Sequence, residues 1–272
     1  QLEARGRRVG VVLRGYGGSH RGAPRVVAPT DDPGVTGDEA LVHARRGVHT
    51  VVIGADRVAA ARLAAEQGAE VIICDDGLQH LRLARDYEIA VVDGARGFGN
   101  RWLLPAGPLR EPASELESVH AVVVTERGRE GRAVFSVRSP LLLRAQFDLG
   151  CAVNLVTGER RALVDFVGKP NLHALAGIGH PAAFFRGLEQ RGLLVTSHPL
   201  PDHASLRVGS LPFPTDAIVL MTEKDAVKCR EIARPDWWWV DLEVTIGRAE
   251  AAALLASVLD RTGLTGAGVS LG

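Results

Sequence analysis

The chain has 272 residues, 46% of them hydrophobic, enough to bury a core in one large α/β domain or in two smaller ones. Lys and Arg number 32 together and so do Asp and Glu, so no net field draws the whole protein to nucleic acid or to an anionic surface. Cys74, Cys151 and Cys229 form no CxxC pair, which argues against a disulfide framework and for a reducing compartment; no apolar run reaches the roughly 18 residues of a bilayer span, and nothing reads as a signal peptide.

Gln1 to Arg8 reads as the last turns of a helix with Gly6 as its C-cap, so the chain is expected to begin inside an element, with more sequence upstream. Val9 to Leu13 is a short apolar strand, followed by Arg14-Gly15-Tyr16-Gly17-Gly18. A guanidinium among glycines suits a phosphate or carboxylate, and a Gly-rich surface loop with an incidental arginine fits the same residues. Thr36-Gly37-Asp38-Glu39 then opens a short helix closed by Gly47, with Asp38 as its N-cap candidate. Val51 to Ile53 is a buried strand, and Asp56 to Gln67 is an amphipathic helix ended by Gly68.

The stretch Ala69 to Asp93 carries the strongest signal. Val71-Ile72-Ile73-Cys74 is apolar at every position, as in a parallel strand buried on both faces, and is taken as the central strand. It ends in Asp75 and Asp76, then Gly77. The carboxyl edge of such a sheet is where ligands bind, and carboxylates there can hold Mg²⁺ beside phosphate oxygens, although Asp-Asp-Gly alone fits a solvated turn equally well. Gln79 and His80 add polar groups that a turn does not need. Tyr87 to Val92 is a further strand closing on Asp93, and this rhythm predicts an α/β fold with a doubly wound parallel sheet.

Residues 94 to 112, GARGFGNRWLLPAGPLREP, are rich in glycine and proline and have no period. A loop this long is functional or disordered, and Arg96, Arg101 and Arg110 make it a candidate phosphate-binding loop as well as an ordinary solvated one. Val119 to Thr125 is a strand. Ala133 to Leu163 is hairpin-like and links to a second, smaller α/β unit: Leu175 to Ile178, a helix from Pro181 to Gln190 closed by Gly192, Leu193 to Thr196, Ala217 to Met221, Trp237 to Val240, and a last helix from Arg248 to Leu259. Trp237-Trp238-Trp239 in a strand sends alternate rings into the core. Pro201-Asp202-His203 is a metal pair, a base with its partner, or a polar loop; His198 lies five residues from His203, with no third ligand nearby to make a zinc site.

In this order, RGYGG (14 to 18), GDE (37 to 39), DDGLQH (75 to 80), the 93 to 112 loop, AGIGHPAAFF (176 to 185), PDH (201 to 203) and TEKDAVK (222 to 228) resemble the tetraacyldisaccharide 4'-kinase family, the lipid A 4'-kinases of Gram-negative bacteria. The resemblance implies a P-loop-kinase-like fold of two α/β domains joined by a two-stranded hinge, with the active site in the cleft. The domains implied are a nucleotide-binding core at 1–130 and a hinge with the second domain at 131–272, the C-terminal helix a candidate to pack back on the core. ATP and Mg²⁺ are the implied cofactors, and the implied partners are the lipid A disaccharide precursor and, peripherally, the cytoplasmic face of the inner membrane. By motif, Asp75 and Asp76 match a metal-binding pair, Asp38 a catalytic aspartate and His203 the histidine paired with it. Arg110 matches a phosphate-facing arginine, and Arg14, Gln79 and His80 are placed with it toward the nucleotide.

The family's Walker A loop, GGxGKTP, has no counterpart in these 272 residues, and Ala204 stands where a second histidine often follows PDH. These residues alone are therefore expected not to turn over ATP. The alternative from another class is a catalytically silent module of the same fold that binds the lipid headgroup; a dinucleotide oxidoreductase is disfavoured because no GxGxxG follows the first strand. Physically, phosphoryl transfer needs in-line positioning and neutralised phosphate charge, and an Asp close to a His can take the sugar hydroxyl's proton; the two are expected to face each other across the interdomain cleft.

Overall fold

A computed structural model describes residues 1–127, 138–201 and 211–264. Contacts divide the chain into two compact units, Gln1–Leu83 with Leu149–Leu242, and Ala84–Asp148 with Glu243–Gly272. The 130/131 boundary expected from sequence follows chain order, whereas this division follows packing: the chain leaves the first unit after Leu83 and returns to it at Leu149.

In the first unit, β1 (Val9–Leu13), β2 (Arg25–Val26), α1 (Pro33–Thr36), α2 (Asp38–Arg45), β3 (Thr50–Ile53), α3 (Arg57–Glu66) and β4 (Val71–Cys74) follow in order. The sheet runs β2-β3-β1-β4, with β1 parallel to both β3 and β4. Every residue of β1 and β3 is buried, and the alternation of strand side chains sorts them by face. Val12 and Val52 pack on Ala60 and Ala64 of α3, while Val11, Leu13, Val51 and Ile53 pack on Ala40, Leu41 and Ala44 of α2. Asp56 caps α3, accepting from the N–H groups of Val58 and Ala59, and Gly68 follows the helix at φ 89°.

The DDG strand is not central. Among the described residues β4 pairs with β1 alone and sits at the edge of its sheet, and Ile73 is 48% exposed. In this four-stranded sheet the strands buried at every position are β1 and β3.

The second unit contains β5 (Ile89–Asp93), β6 (Ala121–Arg127) and the first part of β7 (Leu142–Asn154), paired in parallel in that order. The segment between β5 and β6 is ordered by its own backbone: Leu104 N–H donates to Leu109 O (2.8 Å), Gly107 N–H to Leu103 O (2.9 Å), and Asn100 Nδ2 to Ala106 O (3.0 Å).

After β8 (Arg160–Arg161), which is antiparallel to β7, the first unit resumes with β9 (Leu172–Ala176), α4 (Pro181–Glu189), β10 (Thr196–Pro199), β11 (Ile218–Thr222), α5 (Glu223–Cys229) and β12 (Trp237–Ile246). Its strands run β10-β9-β11-β12, all parallel. Trp237 and Trp238 are both buried, one against Phe213 and one against Phe166, because this sheet is covered on both faces. The last element, α6 (Arg248–Arg261), belongs to the second unit, where Ser257 Oγ accepts from the hydroxyl of Tyr87 at 2.9 Å. β7 and β12 are neighbours, and each continues from one unit into the other, which is the two-stranded connection the family resemblance implies.

Candidate active site around Asp38

Two backbone segments cross at the start of α2. Ser19 N–H donates to Gly34 O (2.9 Å) and His20 N–H to Val35 O (3.1 Å), so the loop after β1 lies against the turn that leads into the helix. Gly18 and Gly37 stand at the contact, where a side chain on either would overlap the opposite backbone. Gly37, at φ 86° and ψ 148°, is the N-cap residue of α2. Asp38 is therefore not the cap its sequence position suggests, because the glycine that alone tolerates this backbone takes the cap position and moves Asp38 to the first helical residue. There it is buried at 3% exposure, with Glu39 beside it.

What faces Asp38 is α5. Lys224 Nζ lies 4.0 Å from Asp38 Oδ1 and Lys228 Nζ 4.0 Å from Asp38 Oδ2; Lys224 also reaches Glu39 at 3.1 Å. The two lysines are four residues apart on one helix and so share a face. Arg46, at the end of α2, fixes the packing: its guanidinium donates to both carboxylate oxygens of Glu223 and to Asp241 Oδ1, and Arg45 Nη1 donates to Val227 O. The α5 turn begins with Thr222 as N-cap, whose hydroxyl accepts from Asp225 N–H. This is the sequence of a capping box, but the Asp225 carboxylate reaches elsewhere, accepting from Gly177 N–H (2.8 Å) and from the Thr222 hydroxyl (2.6 Å).

Asp75 follows β4, with its N–H donating to Val12 O at 3.0 Å. The residue is exposed, yet partial desolvation of its carboxyl, and then the charges of Glu39 and Asp76, hold its proton affinity above the usual carboxylate range, with His43 opposing them. Glu39, Asp75 and Asp76 thus crowd negative charge near the start of α2, as a divalent cation would require. Among the described residues no three His, Cys, Asp or Glu side chains converge as a closed metal site. Mg²⁺ takes one or two carboxylates and fills its remaining positions with water and phosphate oxygens, so an adjacent pair such as Asp75 and Asp76 has the donor chemistry to hold it.

Of the other candidates, Arg14 is exposed immediately after β1, and Gln79 is exposed in the turn after β4. His80 is half-buried, and its Nε2 atom is enclosed without a hydrogen-bond partner. Arg110 is exposed and belongs to the second unit. Asp202 and His203 lie outside the described residues; Pro201 and Leu211 on either side belong to the same unit as Asp38. The residues that sequence reasoning passed over are Lys224, Asp225 and Lys228. The available signal was in TEKDAVK itself, which combines a capping-box pattern with two lysines at i and i+4.

The sequence model of the tetraacyldisaccharide-1-P 4'-kinase family, LpxK, matches residues 1–260. This chain belongs to that family. A tetraacyldisaccharide 4'-kinase of Pseudomonas paraeruginosa is 46% identical over 241 residues, 88% of this chain and 70% of the relative. One from Alkalilimnicola ehrlichii is 45% identical over 271 residues, 97% and 77%. Among solved structures, LpxK from Aquifex aeolicus, described as an "apo" form in complex with ATP, superposes with a TM-score of 0.76 at 26% identity, covering 95% of this chain and 80% of that one. The α/β, P-loop-kinase-like architecture and the assignment to kinases of lipid A biosynthesis follow for this LpxK family member.

Proposed function

We propose that the protein transfers the γ-phosphate of ATP to the 4'-hydroxyl of the tetraacyldisaccharide 1-phosphate precursor of lipid A, working peripherally at the cytoplasmic face of the inner membrane. The observation that carries this reading is the family match over residues 1–260. The ATP complex described for the Aquifex aeolicus LpxK supports ATP as donor, and among the described residues no helix is long and apolar enough to cross a membrane.

Asp38 is the base. Its carboxylate takes the proton of the 4'-hydroxyl as that oxygen attacks the γ-phosphorus, with His203 as its partner, and ADP leaves. Asp75 and Asp76 would hold Mg²⁺, which when bound would supply positive charge to offset the charge on the phosphate oxygens. Arg14, Gln79 and His80 are assigned to nucleotide binding, and Arg110, in the second unit, is assigned a phosphate-binding role. The 272 residues by themselves, with no Walker A stretch among them, do not turn over ATP at an appreciable rate.

The test incubates the intact protein with γ-labelled ATP, Mg²⁺ and tetraacyldisaccharide 1-phosphate. Label at the 4' position, lost in Asp38→Asn and Asp75→Asn, is expected; headgroup binding without label transfer would leave the silent module in its place.

A further inference from the structure

We propose that Lys228 is a positioning residue for phosphoryl transfer, acting through Asp38. The inference deepens the reading of Asp38 as base and rests on it.

Lys228 has an evident structural role, to neutralise Asp225. That carboxylate is fully buried and receives the Gly177 N–H and the Thr222 hydroxyl, and Lys228 Nζ stands 2.8 Å from its Oδ1. The contact has the distance of an ion pair but not the alignment of a hydrogen bond, and the ammonium is enclosed without an in-line acceptor. A lysine serving Asp225 alone would turn its protons to that oxygen. Here the ammonium also stands 4.0 Å from Asp38 Oδ2, on a side chain only 9% exposed.

Two further facts set Asp38 apart from an ordinary buried acid. Lys224 approaches its other oxygen, also at 4.0 Å, so the two ammonium groups flank the carboxylate one per oxygen. Both distances exceed hydrogen-bond length, so the ammonium groups act on the carboxylate through their charge, while its Oδ1 accepts from the N–H of Glu39 at 3.0 Å. Asp225 then gives Lys228 its fixed position. It joins α5 to Gly177, at the start of the loop between β9 and α4, so Gly177, Asp225, Lys228 and Asp38 form one continuous chain of contacts.

The experiment is a double-mutant cycle on the intact kinase, measuring kcat and KM for Asp38→Asn, Lys228→Met, Lys228→Arg and Asp38→Asn with Lys228→Met. We expect Lys228→Met to lower kcat on the order of 10²-fold with KM for both substrates nearly unchanged, as misplacement of a reacting group does. Arginine should restore a large part of that loss, and Lys228→Met added to Asp38→Asn should cost little more. Full multiplication of the two losses, arginine no better than methionine, or a kcat that falls only with the folded fraction seen by circular dichroism would each overturn the proposal. Wild-type kcat in Asp38→Asn would remove the base itself and this proposal with it. A slow Asp38→Asn beside a normal Lys228→Met would remove this proposal alone. Should Lys228→Met not fold, Lys228→Gln enters the same cycle, and failure of both to fold would leave Lys228 as the counter-ion of Asp225.

Discussion

A methyl group on Gly37 would lie 2.5 Å from the carbonyl oxygen of Tyr16. Backbone cannot yield to a contact that short, and the torsions of Gly37 are themselves closed to other residues. Gly37→Ala is therefore expected to destabilise the fold by about 2 kcal/mol or more and to lower kcat further than the folded fraction explains, because the crossing it disrupts places Asp38. Urea unfolding with parallel kinetics checks this, and near-normal stability would show that the crossing can relax.

Cys229, next to Lys228, is fully buried, and its thiol is pushed up to about 12, by burial first and by the charge of Asp225 second, with Lys228 opposing. Cys74 and Cys151 are half-buried. In mildly alkaline iodoacetamide, Cys229 of the native protein should react on the order of 10³-fold more slowly than an ordinary free thiol, and become ordinary once the protein is unfolded. Peptide mass spectrometry resolves the three sites. Native-state labelling of Cys229 at the rate of the other two would mean that α5 opens readily.

What the sequence made legible was local. Asp56 and Gly68 bracket α3, Pro181 and Gly192 bracket α4, and Gly6 ends the first turn at φ 73°, because caps and stops depend on neighbours within a few residues. Val71 to Cys74 was legible as a strand but not as an edge strand, since its neighbour in the sheet is set by distant residues. Seven residues of α5 are too few to show a period, and their link to Asp38 comes from the far end of the chain. Asp38 itself looked like a cap because an acid before an apolar run usually is one; the positive φ of Gly37 decided otherwise.

His173, which is buried, and His198, which is half-buried, form a further polar pair, with His173 Nδ1 2.8 Å from His198 Nε2 and His173 Nε2 3.0 Å from Asn171 Oδ1. Burial, and then the charge of His173, hold the pKa of His198 below its ordinary value. A histidine depressed in the fold binds fewer protons there than in the unfolded chain. Its contribution to stability is complete above the unfolded pKa, about 6.5, and is lost as pH falls from there through the lower folded value. Wild-type stability should thus decline between about pH 7 and pH 5 more steeply than that of His198→Gln, which cannot titrate. Parallel stability curves in urea would count against a depressed His198.

Asp75 offers the opposite sign and a test of what the carboxylates near α2 are for. Desolvation first, and then Glu39 and Asp76, raise its proton affinity in the fold. A raised carboxyl favours the folded state only at pH below its unfolded pKa, and that advantage is lost as pH rises through the folded value. At neutral pH without metal the ionised side chain therefore works against the fold, and Asp75→Asn should be more stable than wild type, by less than about 1 kcal/mol because the carboxyl remains partly solvated. The same substitution should lower 4'-kinase activity on the order of 10²-fold or more, as the loss of a charge-stabilising group in a transfer site does. Thermal unfolding in chelator and again with Mg²⁺ separates the two effects: Mg²⁺ should raise the wild-type midpoint and leave the variant's unmoved. A variant that is less stable in chelator, or that Mg²⁺ stabilises as much as it does wild type, would mark Asp75 as a structural residue of the turn rather than a site for the ion.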